Sequence, residues 1–195
     1  MTAQQEVMTE RLRLRQWKPS DREPLAAMLA DPRVMACFPA TLDRTASDAF
    51  ADRCESGITE RGWGFWAVER LDCERFIGCV GLNVPSAALP FSPCVEIGWR
   101  LAYSAWGKGY AFEAAKGALH VGFKALALSE IVAFTTLNNH RSRALMERLG
   151  MQHSPQEDFD HPMLPTDSPL LRHCLYRLSK ETWNRRSADA NDRAQ

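Results

Sequence analysis

Val95-Glu-Ile-Gly-Trp-Arg-Leu-Ala-Tyr-Ser-Ala-Trp-Gly-Lys-Gly-Tyr-Ala-Phe-Glu-Ala114 is the stretch whose reading decides the fold. It reads as a strand through Leu101, a tight turn holding Gly107 and Gly109, and a helix that opens at about Gly109. Two glycines one residue apart at such a junction let backbone N–H groups converge with no Cβ in the way, and the helix start adds a partial positive charge. That corner is a cradle for a phosphate-bearing ligand, although a Gly-x-Gly turn also serves merely to close a strand–helix corner. A dinucleotide-binding turn needs a third glycine and an acidic residue about 20 positions further on. Ala111 can stand in for that glycine, but the following strand offers no such acid. A Walker loop needs Gly-Lys-Ser/Thr, and here Gly107-Lys108 is followed by Gly109.

Composition narrows the classes around this stretch. A chain of 195 residues fits one domain, expected over 1–184 with a disordered polar tail from 185 to 195. A domain of that size buries roughly 70% of its unfolded surface and needs no covalent staples. Lys plus Arg number 24 and Asp plus Glu number 24, so no net charge favours nucleic acid or an anionic membrane. The six cysteines, at 37, 54, 73, 79, 94 and 174, form no Cys-x-x-Cys pair and have no histidine at zinc-site spacing, so no metal is expected. With no signal peptide and no apolar run of membrane-spanning length, they read as reduced thiols of a cytoplasmic protein, most of them small core residues.

Before the central stretch, Glu10-Arg-Leu-Arg-Leu-Arg-Gln16 alternates strictly and predicts a strand with Leu12 and Leu14 inward and Arg11, Arg13 and Arg15 on a wet face. Pro19-Ser20-Asp21 opens a helix carrying Leu25, Met28 and Leu29, and a second helix runs from near Thr45 towards Arg61 with Phe50, Cys54 and Ile58 on its apolar side. Gly64–Glu69 and Phe76–Leu82 read as a hairpin across a polar link. The segment 84–93, with Pro85, Pro90 and Pro93 among apolar residues, is expected either to meet a partner subunit, giving a homodimer, or to line a substrate entrance.

After it, the helix from Gly109 to about Leu126 presents a small-residue stripe of Ala111, Ala115, Ala118, Gly122 and Ala125. Ile131–Leu137 is a buried strand by its β-branched content. Asn138 or Asn139 then caps a short helix that carries Ala144, Leu145 and Leu149 and closes at Gly150. The stretch from Pro155 to Pro169 is acidic and proline-broken, and Leu170–Leu178 is a last strand.

Two motifs together resemble the GCN5-related N-acetyltransferases. Trp106-Gly107-Lys108-Gly109-Tyr110-Ala111 is similar to their pyrophosphate loop, Gln/Arg-x-x-Gly-x-Gly/Ala, with Trp106 in the usual Gln/Arg place. That substitution is a feature of the ribosomal-protein (RimJ/RimL-like) branch. Further on, Asn139, Ser142, Glu147, Gly150 and Met151 match the strand-to-helix segment that comes next in the family. The opening Thr9–Arg15 and Asp31-Pro32 also look like the branch, so the resemblance spans roughly residues 9 to 179.

The resemblance implies an α/β (α+β) fold: a mixed, mostly antiparallel sheet splayed between two parallel strands and flanked by about four helices. It implies acetyl-CoA as co-substrate and an amine as acceptor, either a protein N-terminus or a small molecule. The acetyl group passes directly to the amine, so the cysteines are not nucleophiles. By the same likeness the pantetheine arm pairs near Trp99 and Leu101, the pyrophosphate meets the amides of Trp106, Gly107, Lys108, Gly109, Tyr110 and Ala111, and Asn139 holds the arm from the other side. Glu96, on the central strand, is the candidate base, although it can equally pair with Arg100. The family's usual tyrosine donor is replaced by Met146, which leaves Ser142 as the candidate acid. The other readings are acetylation of a small amine, for which Glu157, Asp158 and Asp160 would attract a cation, and an acyl-CoA-binding module without turnover.

Overall fold

The alternating arginine–leucine stretch forms a strand only at its second half. The computed structural model describes residues 6–192, with side chains as far as 188. There β2 (Leu12–Arg15) folds back on β1 (Val7–Met8), a two-residue strand with Val7 opposite Leu14 and Met8 opposite Arg13. Leu12 and Leu14 are buried, as alternation requires, and Arg13 stays at the surface on Glu6 (Nη2–Oε2 2.8 Å).

Arg15 departs from the expected wet face, since only 3% of it is exposed. Its Nη1 and Nη2 donate to Asp21 Oδ2 and Oδ1 (2.7 and 2.9 Å) and its Nε donates to Glu69 Oε2 (2.7 Å). Lys18 Nζ adds a contact of 3.2 Å to the same Glu69 oxygen. Two carboxylates that satisfy the planar guanidinium fork make an arginine tolerable in a core, and neither is visible from the alternation itself.

Asp21 ends a single 3-10 turn that leads into α1 (Arg22–Leu29), which buries Leu25, Met28 and Leu29. α2 (Arg44–Arg61) starts where Asp43 Oδ1 accepts from Ala46 N (2.8 Å) and ends on Gly62 in the left-handed region. It buries Cys54 and Ile58, while Phe50 is half-buried with its ring edge-on to Trp17.

The expected hairpin is β3 (Phe65–Arg70) against β4 (Phe76–Asn83), with a register shift at Val68/Glu69. β5 (Glu96–Leu101) runs beside β4. Gly78 makes this approach possible: a Cβ there would collide with the backbone of Arg100 and Leu101, and Ala102 N donates to Ile77 O nearby (2.9 Å).

α3 (Tyr110–His120) continues into one wide π turn over Val121–Ala125. Ala114, Ala115, Ala118 and Leu119 are fully buried, whereas Ala125 is exposed and Ala111 half-buried. Ala115, Ala118 and Gly122 of the expected stripe are thus buried, and only past Gly122 does the π turn, which inserts a residue, carry Ala125 off the 3.6-residue expectation.

β6 (Glu130–Thr136), α4 (His140–Leu149), β7 (Gln152–His153), β8 (Phe159–Asp160), β9 (Arg172–Ser179) and α5 (Lys180–Asp192) complete the chain. β6 pairs antiparallel with β9 over its whole length, from Glu130↔Ser179 to Thr136↔His173, and β7 and β8 both pair with β9. One pairing is parallel: Glu96 stands opposite Val132, and Val132 N donates to Val95 O (3.0 Å). The sheet is thus mixed, mostly antiparallel with one parallel pair, and five α-helices accompany it among the described residues, one more than expected. None of these helices is long and apolar enough to cross a membrane.

The extra helix is α5, which occupies part of the tail expected to be disordered. Trp183, 8% exposed, stacks on Phe123 (5.7 Å between ring centroids), Arg186 Nη2 donates to Arg148 O (3.3 Å), and Ser187 Oγ donates to Trp183 O (2.9 Å). Residues 193–195 of that expected tail lie outside the described residues.

The chain divides into two compact units. One holds the chain up to Asn83 together with Ile97–Ala118, and the other holds Val84–Glu96 and the chain from Leu119 on. The second unit accounts for the apolar 84–93 segment. Leu89 is 5% exposed in a core with Val132, Phe159 and Leu175, and Ala87, Phe91, Cys94 and Phe134 pack against it. The segment finds its cover within its own unit, so the motive for a homodimer based on an uncovered loop lapses.

Replacing Arg15 with Met leaves two carboxylates without their shared cation. The expected loss is about 3–5 kcal/mol at pH 7, measured by urea denaturation. Burial works to raise the Glu69 pKa, but the bonds from Arg15 and Lys18 hold it below the ordinary value. Its contribution is therefore complete above about pH 4.3, the ordinary value for a glutamate, and is lost as pH falls through the depressed folded-state pKa. The gap between wild type and variant should narrow over that acidic window. A gap that stays constant down to the lowest pH at which the protein folds would mean Glu69 does not feel Arg15.

Candidate active site

The turn after β5 takes the shape that its two glycines permit. A 3-10 turn over Tyr103–Ala105 leads to an extended Trp106, then to Gly107 at φ 73° and Gly109 at φ 81°. These dihedrals are strained for residues with a Cβ. A Cβ on Gly107 would meet nothing within 4 Å, so that side of the loop is open, while one on Gly109 would sit 3.3 Å from Arg11 Nη2. Glu113 N donates to Gly109 O (3.1 Å), the first bond of the helix. The leading amides of a helix have no acceptor within it, so an open loop at this end suits an anion.

Side chains around the loop fix it from both flanks. Trp106 Nε1 donates to Leu101 O (2.8 Å), bridging the end of β5 to the loop. The Trp106 ring lies 5.1 Å from that of Tyr103, and the Arg33 guanidinium, held by Asp31, sits 3.9 Å from the Tyr103 centroid. On the other flank Arg11 Nη1 donates to Lys108 O (3.1 Å). Arg11 is itself anchored on Glu113: its backbone N donates to Oε1 and its Nε to Oε2, both at 2.7 Å, while Thr9 Oγ1 donates to Oε1 at 2.6 Å. The Arg11 guanidinium also lies 4.7 Å from the centroid of the Tyr110 ring. Burial pushes the Glu113 pKa up, but these donors outweigh it and hold the carboxyl below its ordinary range. Sequence reasoning missed Arg11 and Glu113 as loop residues. They lie 102 positions apart, and no local pattern links them.

The remaining candidates fall in different places. Leu101 is buried at the end of β5 and Trp99 is half-buried two residues before it. Lys108 is exposed and Ala111 lies in the first turn of α3. Glu96, half-buried, opens β5 opposite Val132. Asn139 caps α4: its Oδ1 accepts from Ser142 N (3.3 Å) and its Nδ2 donates to Thr135 Oγ1 (2.8 Å). Of the two asparagines open as caps, it is Asn139 that serves. Ser142 is half-buried, and its hydroxyl makes no hydrogen bond among the described residues. Met146, where a tyrosine would be usual, is buried with Leu149.

Three expectations need correction. Arg100 does not serve as a counter-ion: its guanidinium lies over Phe38 and Phe50, and it makes no ion pair among the described residues. The acidic residues offered for a cationic acceptor are already paired, Glu157 with Arg177 (2.8 Å), Asp158 with His153 (2.7 Å) and Asp160 with Arg172 (3.2 Å). Fewer cysteines than expected are core residues: Cys54, Cys79 and Cys174 are buried, Cys37 and Cys94 are half-buried, and Cys73 is exposed. Burial raises the Cys79 thiol to about 11 and pushes Cys54 up as well, so both are neutral thiols at pH 7.

Comparison with known proteins decides the family. The Acetyltransferase (GNAT) domain model matches residues 11–152, which include the glycine loop, β5 and all of α4. The chain belongs to the GNAT acetyltransferase family. Bacillus subtilis (strain 168) YkkB is 30% identical over 155 residues, covering 79% of this chain and 89% of that protein. The crystal structure of an acetyltransferase from Agrobacterium tumefaciens str. C58 aligns with TM-score 0.72 and 25% identity, over 91% of this chain and 96% of that one. Mycobacterium smegmatis RimJ in complex with CoA-disulfide aligns with TM-score 0.72 at 21% identity, over 96% and 95%, a likeness of fold. The protein is therefore an acyltransferase with the GNAT fold, and the family's co-substrate is acetyl-CoA.

The loop geometry yields a stability test that needs no ligand. Gly107→Ala adds a methyl into open space and should cost about 1–2 kcal/mol from the left-handed backbone alone. Gly109→Ala adds the same strain plus the contact with Arg11, so it should lose more in urea denaturation. Equal losses would mean that Arg11 moves aside freely and does not brace the loop.

Proposed function

We propose that this enzyme moves an acetyl group from acetyl-CoA to the α-amine at a protein or peptide N-terminus, as in the RimJ/RimL-like branch. The observation that carries the reading is the Trp-Gly-Lys-Gly-Tyr-Ala loop, with both glycines at positive φ and braced between Trp106 and Arg11 at the start of α3. The amides of Trp106 to Ala111 receive the pyrophosphate and Lys108 adds charge. Trp99 and Leu101 pair with the pantetheine arm, and Asn139 holds it while capping α4. In the reaction the amine nitrogen bonds to the thioester carbonyl carbon, the C–S bond breaks, the amine gives up a proton and the sulfur gains one.

Elementary acid–base energetics favour this acceptor. Presenting a neutral α-amine of pKa about 7.8 at pH 7 costs about 1 kcal/mol, against about 4.6 kcal/mol for a lysine at about 10.4. A single half-buried carboxylate acting through water, Glu96, is adequate for the first. Protonating the leaving thiolate, pKa about 8.5, closes a gap of about 2 kcal/mol, and the unengaged Ser142 hydroxyl is the donor. Reduced thiols and a neutral overall charge suit a cytoplasmic setting.

Release of coenzyme A thiol from acetyl-CoA should occur with short peptides and not with polyamines or aminoglycosides; the reverse pattern would move the acceptor to the small-amine class. Glu96→Gln should lower kcat/KM by on the order of 10²-fold at pH 7, with recovery above the pKa of the acceptor amine. An unchanged rate would remove Glu96 from the chemistry. Ser142→Ala should lower kcat while leaving the KM for acetyl-CoA intact, and full turnover would eliminate Ser142 as the acid.

A further inference from the structure

Arg100 is a charged group that the chemistry above does not use and the fold does not neutralise. It lies on β5, half-buried as a residue, with its Nε enclosed and without a hydrogen-bond partner. The guanidinium carbon stands 3.9 Å from the Phe38 ring centroid and 5.2 Å from that of Phe50, both rings half-buried. The other groups that act on it are the neutral thiols of Cys79 and Cys54. Burial holds its pKa below the ordinary value, and neither thiol offsets that desolvation.

Most other arginines of the same unit are provided for differently: Arg53 and Arg75 are exposed, and only Arg61, over Trp63, likewise has an enclosed Nε without a partner. Arg15 is more deeply placed yet has two carboxylates in its fork, while Arg11, Arg22, Arg33, Arg44 and Arg70 each hold at least one. Buried cations are ordinarily paired, because a guanidinium in a dry site loses hydration that only an anion restores. Phenyl faces hold it by cation–π attraction but offer no acceptor to its five N–H donors.

We propose that Arg100 recognises a carboxylate on the acceptor, so that the amine acetylated by this enzyme carries a carboxylate group. The planar fork takes a carboxylate in bidentate fashion. Phe38 and Phe50 exclude water around that pair, strengthening it, and pack against the carbons between the carboxylate and the amine. Residual exposure of Arg100 and of both rings leaves the acceptor a way in. This inference rests on the acetyltransferase reading and concerns its acceptor. The carboxylate comes from one of two sources, a free amino acid or an acidic side chain near a peptide N-terminus.

Matched acceptor pairs separate the sources: free amino acids against their amides, and peptides beginning with Asp or Glu against those beginning with Asn or Gln. Wild type should favour the carboxylate member of one pair by at least tenfold in kcat/KM. In Arg100→Met that ratio should fall to within about twofold of one. Arg100→Lys, which keeps the charge and loses the fork, should fall between. Calorimetric binding of acetyl-CoA verifies that each variant is folded, and Arg100→Lys carries the test if Arg100→Met is not. A wild-type ratio near one, or an unchanged ratio in the folded variants, overturns the proposal. If none of these acceptors is acetylated, thermal melting with the same compounds decides separately. Stabilisation of wild type alone by the carboxylate members would sustain Arg100 and remove acetyl transfer to them, and no stabilisation would overturn Arg100 too.

Discussion

The loop that defines this enzyme depends on where one carboxylate points. Glu113 sits in the first turn of α3, where an acidic side chain is favoured because it answers the positive end of the helix. Left to itself, such a carboxylate would compete with a phosphate for the amides of the same turn. Here Thr9, the Arg11 amide and the Arg11 guanidinium engage it instead. The charge is neutralised sideways and the helix end stays available to a ligand. The same arginine donates onward to Lys108 O, so the group that occupies Glu113 also holds the loop's middle residue.

This arrangement gives a use to the β1–β2 hairpin, which is too short to be worth much by itself. β1 contributes two residues and β2 four, yet Thr9 and Arg11 lie in the turn that joins them and reach α3 from there. The far end of β2 is fixed by Arg15 in its pocket of Asp21 and Glu69. A buried ion cluster at one end and a loop brace at the other give the strand a defined position along its length. An apolar residue at 15 would bury as well, but it would not specify which way the strand lies.

Three arginines at 11, 13 and 15 show what the sequence can and cannot reveal. Alternation assigns all three to solvent; Arg11 and Arg13 stay there, the first with its guanidinium on Glu113 and Lys108 O, and only Arg15 goes inward. Periodicity reports which face of an element is apolar, while the fate of a charged residue depends on partners brought from elsewhere in the chain. The features read correctly are those whose cause is local: the glycine turn, an asparagine cap on α4, the closing Gly150, and the β3–β4 hairpin. Those missed are fixed by distant partners. β7 and β8 are two-residue strands that exist only because β9 lies beside them. α5 is anchored through Trp183 on Phe123, and the proline-rich 84–93 segment goes inward because Leu89 meets Val132, Phe159 and Leu175.

The tyrosine inventory bears on the choice of proton donor in the same physical terms. The chain has three tyrosines. Tyr103 is stacked between Arg33 and Trp106, and Tyr110 is buried beneath Arg11. Tyr176 donates to Glu147 Oε1 (2.9 Å) and accepts from Arg143 Nε (3.3 Å), with burial raising its pKa further from that of a thiol. Each ring is already committed to holding an element in place, and at the position where a tyrosine is usual the chain has the apolar Met146 instead. On the proposed mechanism, a hydroxyl donor near α4 would therefore come from a smaller residue. Ser142 is one turn from Met146, and it is oriented through its own amide by Asn139 while its hydroxyl stays unengaged. A serine pKa lies far above that of a leaving thiolate, so such a donor acts by stabilising the sulfur as it departs rather than by surrendering a proton beforehand.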